Sequence, residues 1–148
     1  MNGYQVTAAE LASLSPELAL TAAGALLLLL EAFLPALRRT FCWLGVGATG
    51  VAAWLVVGLE SGESFHGLIE ASALTNAFSL AILGTTALAL LASDGYLRRE
   101  RLAYGEYPAL VLWCTAGLLL LVRGAELLTI FLALELLSVG LYGLAGFH

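Results

Sequence analysis

Five stretches of this chain are long and apolar enough, or nearly so, to cross a lipid bilayer, and this constrains the fold more than any other feature. A helical span needs roughly 20 mostly apolar residues. The stretches run over 16–37, 41–59, 73–93, 107–122 and 127–145. Of all residues, 61% are hydrophobic and 11% charged. A soluble domain of this length keeps much of its surface in water and could not hide so much apolar side chain. Only lipid suits the composition as solvent. The expectation is an all-α integral membrane protein, a single bundle of about five transmembrane helices over 1–148.

Local signals mark the helix ends. Ser15-Pro16-Glu17 reads as an N-cap, a proline at the first helical position and an acid favoured by the helix dipole. Ser72 and Thr75 are caps for the third span, and Tyr107-Pro108 opens the fourth. The short link Arg123 to Glu126 forces an antiparallel hairpin, with those two charges as a surface pair. The second span holds Gly45, Gly47, Ala48, Gly50, Ala52 and Ala53. Small residues let helices approach closely in lipid, so it is expected inside the bundle.

Charge in the loops sets orientation. Arg38, Arg39, Arg98, Arg99 and Arg101 fall on one side of the bundle, while the loop after span two carries Glu60, Glu63, Glu70 and His66. The positive-inside rule makes the arginine side cytoplasmic, the N-terminus external and the C-terminus cytoplasmic. Tyr96, Tyr104, Tyr107 and Trp43 form an aromatic belt at the inner interface. Residues 1–15 have no Lys or Arg, so a cleaved signal peptide is not expected. An end at Phe147-His148, directly after a span, reads as a break within something longer.

Most motifs have plain readings. Gly45-Val46-Gly47-Ala48-Thr49-Gly50 matches GxGxxG, but a dinucleotide site needs it between strand and helix, and here it lies inside a span. Cys42 and Cys114 are packing residues. His66 is a surface loop residue, and Thr85 and Thr86 bond back to their own helix. There is no basic patch for nucleic acid, and no HExxH, CxxC, phosphate loop or Ser/His/Asp set.

Glu135 stands apart. It sits mid-way along the fifth span, where a charge costs about 2.5–3.5 kcal/mol on insertion scales. Such residues mark ion or proton paths and face the interior of a bundle. Ser138 and Tyr142 share its helical face, with Leu128 and Phe131 continuing the stripe. A carboxyl in oil favours its protonated form and a nearby cation the ionised one, so a group held between these can trade protons. The plain alternative is a structural acid hydrogen-bonded to a neighbouring helix. Glu31 is a second candidate, with an arginine pair as its plain reading, and Asp94, beside Arg98, is a third.

The chain also resembles a known family. The residues are Ser15-Pro16-Glu17-Leu18, Asn76-Ala77-Phe78-Ser79-Leu80, Ser93-Asp94-Gly95-Tyr96-Leu97-Arg98-Arg99-Glu100, Gly105-Glu106-Tyr107 and Glu135-Leu136-Leu137-Ser138. Leu141-Tyr142 and Leu144-Ala145-Gly146-Phe147 follow. In this order and spacing they resemble the opening part of subunit N of NADH-quinone oxidoreductase, respiratory complex I. The resemblance implies a proton-translocating subunit in the cell (inner) membrane, with Glu135 as the fifth-helix carboxylate of its path. It implies no cofactor in this chain, with NADH, FMN, iron–sulfur clusters and quinone handled by partner subunits. Other membrane subunits of complex I and the lipid bilayer are the expected partners. In the family this acid works with a lysine on a later helix; this sequence contains no lysine. Its cation must come from residues beyond these or from another chain. A cation/proton antiporter subunit with related helices and a non-catalytic membrane scaffold or fragment are the alternatives.

Overall fold

A computed structural model describes residues 8–34, 40–59, 61–99 and 105–146, apart from the side chains of Ala8, Ala9 and Arg98. Among these residues there are six helices and one small β-hairpin: α1 (Ala8–Ser13), α2 (Ser15–Phe33), α3 (Phe41–Val57), β1 (Gly62–Ser64), β2 (Ile69–Ala71), α4 (Ala73–Arg99), α5 (Glu106–Arg123) and α6 (Leu127–Ala145). α2, α4, α5 and α6 are each long and apolar enough to span a membrane, and α3 is a shorter apolar helix of 17 residues. The protein is a mostly helical, multi-pass membrane protein.

The helices run alternately up and down. One end of the bundle gathers the starts of α2, α4 and α6, the ends of α3 and α5, and the β-hairpin. The other gathers Phe33, Phe41, Arg99, Glu106 and Ala145. α4 runs past the expected boundary at 93 to Arg99, with Asp94 and Gly95 continuing the helix instead of ending it. Ser72 and Thr75 cap α4 reciprocally: the Thr75 amide donates to Ser72 Oγ at 3.3 Å and the Ser72 amide to Thr75 Oγ1 at 2.8 Å. The expected Ser15 cap is displaced. Ser15 is already helical, Leu14 stands at the cap position without a side-chain bond, and α1 leads straight into the turn.

α5 is the central helix. It packs against α2, α3, α4 and α6, and Ala109, Leu112, Ala116 and Leu119 are fully buried along it. The close approaches depend on glycine. A Cβ on Gly117 would sit 3.0 Å from the Leu137 amide nitrogen and 3.2 Å from the Ala133 carbonyl; one on Gly140 would meet Cys114 Sγ at 2.5 Å. On the opposite side of α5, Gly24 makes room for the Trp113 indole, which donates to the Thr21 carbonyl at 3.1 Å.

The small-residue reading of α3 is half right. Gly45 meets Leu90 and Pro108, but Gly47 and Gly50 face open space, and Trp43 and Trp54 are exposed. α3 is therefore a peripheral helix with one packed face, which carries Gly45, Thr49, Ala52 and Val56. The loop after α3 adds an element the all-helical expectation lacked. β1 and β2 pair antiparallel with Glu63 opposite Glu70. The turn takes Phe65, His66 and Gly67 through positive φ, at 53°, 58° and 89°. The hairpin docks on the α5–α6 link: Ile69 bridges Gly124, and the Ala125 amide donates to the Leu68 carbonyl at 3.0 Å.

Leucines and aromatics stand exposed on α2, α3, α4 and α6, among them Leu26, Phe33, Trp54, Leu88, Leu127 and Phe131. In water such apolar surface would drive aggregation. In a bilayer it is the ordinary outer face of a span.

Candidate functional site

Ionisable side chains gather at three places, and the structure treats each differently. At the hairpin end, Arg123 closes α5 with its side chain buried, 1% exposed, against Glu17 at 4%. Arg123 Nη1 donates to Glu17 Oε1 at 2.6 Å and Nη2 to the Ser13 carbonyl at 2.7 Å. The guanidinium thus ties the α1–α2 junction to the end of α5. The surface pairing expected between Arg123 and Glu126 is overturned: Glu126 is exposed, and Arg123 turns inward to a carboxylate 106 residues away in sequence. A lone cation at a span's end in a low-dielectric surround needs a fixed counter-charge, and Glu17 is the acid placed to meet it. One clue was available in sequence. Alternating helices put position 17 and position 123 at the same end, and Arg123 is the only arginine there.

At the opposite end, Glu31 Oε2 accepts from the Glu106 amide at 3.0 Å. A carboxylate at the first turn of α5 meets unsatisfied amides and the positive end of the helix dipole. Gly105 permits the approach, since a Cβ there would lie 2.9 Å from Glu31 Oε2 and 2.9 Å from the Phe41 ring. Its expected arginine partners, Arg38 and Arg39, lie outside the described residues. Asp94 is half-buried near the end of α4, one turn before Arg98, whose side chain also lies outside them. Next to it, Ser93 Oγ and Tyr107 OH are 2.8 Å apart, joining α4 to α5.

Mid-bundle, Thr86 and Thr115 hydroxyls lie 3.0 Å apart across α4 and α5. Thr115 donates to its own Val111 carbonyl at 2.8 Å, so Thr86 is the donor between them. The expectation that Thr86 bonds back to its own helix is overturned, since it bridges α4 and α5; Thr85 does bond back, to the Ala81 carbonyl at 2.8 Å.

Glu135 lies near the centre of α6 and is exposed. The face that meets α5 carries Thr129, Ala133 and Gly140. Successive helical residues turn by about 100°, so Glu135 sits about 200° round from Ala133, on the far side. Tyr142 is 76% exposed and Leu128 and Phe131 are likewise outward; Ser138, half-buried, donates to the Leu134 carbonyl at 2.7 Å. The predicted stripe therefore exists as one face, but it faces away from the described bundle. The reason is steric: α6 packs where its residues are small enough for α5 to approach. No hydrogen bond or ion pair joins Glu135 to another described residue. Glu135, the end that holds Glu31 and Asp94, and the Glu17–Arg123 pair are three separate parts of the bundle. The described residues contain no cluster of His, Cys, Asp and Glu able to hold a metal ion.

No family model matches the chain. Curated relatives do. The NADH-quinone oxidoreductase subunit N of Trichlorobacter lovleyi is 35% identical over 136 residues, 90% of this chain and 28% of that protein. Subunit N 1 of Symbiobacterium thermophilum is 35% identical over 139 residues, 90% of this chain and 28% of its own length. Subunit N of Maricaulis maris is 34% identical over 143 residues, 94% of this chain and 30% of its own. The chain thus spans less than a third of the length of these relatives. Along nearly all of its own length, it belongs to the family of NADH-quinone oxidoreductase subunit N, a membrane subunit of complex I.

Proposed function

We propose that this chain forms part of a proton-translocating subunit of NADH-quinone oxidoreductase, in which quinone reduction elsewhere drives proton transfer through Glu135. The observation that carries the reading is the placement of that carboxyl. It sits half-way along an apolar 19-residue helix, on the face the described helices leave open. A charge at that depth is costly, and such residues are kept where they face a partner or a proton path. A cation approaching that face would favour the carboxylate; its withdrawal would favour the acid. Alternating the two is a means of taking a proton from one side and giving it to the other.

In this reading Ser138 and Tyr142 are the polar neighbours on the same face, and Asp94 and Glu31 lie towards the cytoplasmic end of the path. All five apolar helices cross the membrane, with the arginine-rich end cytoplasmic and the N-terminus outside, in the cell's inner membrane. NADH, FMN, iron–sulfur clusters and quinone belong to partner subunits, and the cation that meets Glu135 comes from beyond the described residues.

The test is Glu135→Gln in the assembled complex. It should lower the number of protons moved per NADH oxidised while assembly stays intact. An unchanged ratio would overturn the role of Glu135.

A further inference from the structure

Among the described helices, α6 is held from one side. It packs on α5, and α5 is itself hemmed in by α2, α3 and α4. Crowding in the seam between α5 and α6 therefore displaces α6, the helix that carries Glu135.

Gly117 stands at a particular point of that seam. A Cβ there would have α6 backbone as its three nearest neighbours: Leu137 N at 3.0 Å, the Ala133 carbonyl oxygen at 3.2 Å and Leu137 Cα at 3.3 Å. In an α-helix the amide of residue 137 donates to the carbonyl of residue 133, so Gly117 lies against the hydrogen bond that closes this turn. Glu135 is the middle residue of the same turn. Ala133 and Leu137 lie about 200° from it in opposite senses, so the line joining them runs about 180° round the helix from Glu135. Gly117 thus backs onto the turn directly behind the carboxyl. The other close approaches are softer. At Gly140 the nearest atom is Cys114 Sγ and at Gly143 it is Leu110 Cδ2, side-chain atoms that can rotate away.

We propose that Gly117 is a positioning residue for Glu135: its missing side chain sets how far the carboxyl reaches from the open face of α6. The proposal rests on the proton-carrying role given to Glu135 above. The link before α6 holds the start of the helix, since the Ala125 amide donates to the Leu68 carbonyl at 3.0 Å and Ile69 bridges Gly124. A methyl at position 117 therefore pushes the turn away from α5, by a few tenths of an ångström, in the direction Glu135 points. Charge attraction is steep at contact distance. A carboxyl moved towards a cation on the open face spends more of its time ionised.

The experiment labels Glu135 with a lipid-soluble carbodiimide in native membranes. The reagent adds only to a protonated carboxyl. Label at residue 135 is read by mass spectrometry, with Glu135→Gln as the blank. Gly117→Ala should slow labelling about twofold. Gly24→Ala, which crowds Trp113 on the opposite side of α5, and Gly140→Ala, which meets Cys114 Sγ on the same seam, should label at the wild-type rate. A wild-type rate in Gly117→Ala, or the same slowing in all three, would overturn the proposal. If Gly117→Ala fails to assemble, Gly140→Ala decides. Its methyl presses about 140° round from Glu135. Slowed labelling there would mean that the whole seam sets the carboxyl and would overturn the part given to Gly117; a wild-type rate supports it. Gly117→Ala should also lower the protons moved per NADH oxidised, and should lower them no further when added to Glu135→Gln. A further fall would show that Gly117 acts by another route and would overturn the proposal. The two readings fail separately. An unchanged proton ratio in Glu135→Gln removes the role of that acid, whereas unchanged labelling in Gly117→Ala removes only its placement by Gly117.

Discussion

Glu17 and Glu135 occupy helices of equal length, 19 residues each, and the chain treats them in opposite ways. Glu17, near the start of α2, is buried against Arg123 and tied through it to the Ser13 carbonyl. Glu135, at the middle of α6, meets no charge within the described bundle and is turned outward. The difference separates two kinds of acid. A charge satisfied inside its own chain fixes geometry: here it locks the α1–α2 junction to the end of the central helix. A charge left open half-way along an apolar helix is, in the function proposed above, answered from outside the described bundle.

The sharpest way to break the comparison is to remove one half of the closed pair. Arg123→Met leaves the Glu17 carboxylate buried without its counter-charge. Breaking a buried pair from one side costs about 3–5 kcal/mol. Thermal unfolding of the purified assembly should show it as the largest loss in this set. Glu17→Met combined with Arg123→Met should recover most of that loss, because two apolar side chains of similar size remove both desolvation penalties. If the double variant is as unstable as the single one, the pair is not the fastening described above.

A smaller effect isolates the packed face of α6 from the open one. Gly117→Ala places a methyl 3.0 Å from the Leu137 amide nitrogen and 3.2 Å from the Ala133 carbonyl, both backbone atoms that cannot swing aside. α5 and α6 must separate, at a cost of about 1–3 kcal/mol for overpacking. Gly47→Ala on α3, where a Cβ meets nothing within 4 Å, is the matched control and should lose no stability, because alanine is the better helix former. Smaller again is Thr86→Val, which deletes the hydroxyl donated across α4 and α5. Interhelical hydrogen bonds in membranes average about 0.6 kcal/mol, and the unfolding midpoint should move only slightly.

The contrast between the two acids also explains what the sequence could and could not say. Spans were legible because crossing a bilayer is a local property of apolar length: α6 runs over the residues expected, 127–145, and the Ser72–Thr75 cap formed where its residue types pointed. Which face of each helix turns inward was not legible. In lipid both faces are apolar, so no polar side marks the outside, and packing is decided by glycines meeting backbone across the bundle. Gly117 and Gly140 do this on α5 and α6, whereas Gly47 and Gly50, which looked equally suited on α3, meet nothing. The Glu17–Arg123 pair joins residues too far apart in sequence for any spacing rule. The hairpin at 62–71 was hidden because its strands are only three residues each, Gly62–Ser64 and Ile69–Ala71, too short for a period to show. Glu135 itself stood out in sequence because an acid in the middle of an apolar run needs no partner to be noticed, only depth.

That leaves the prediction with the smallest structural effect and the most to say about the comparison. Glu135→Gln should leave the unfolding midpoint of the purified assembly unchanged if the carboxyl is a proton carrier, since the amide keeps its shape and polarity and no described residue bonds to it. A carboxyl fixed in a permanent ion pair with a neighbour outside the bundle would behave like Glu17: losing its charge would strand a buried cation, and stability would fall as it does for Arg123→Met. Midpoint and proton-to-electron ratio, measured on the same preparation, therefore separate the two kinds of acid. A stable variant that pumps less means Glu135 exchanges its proton; an unstable one means it is a second fastening, with its partner across the open face of α6.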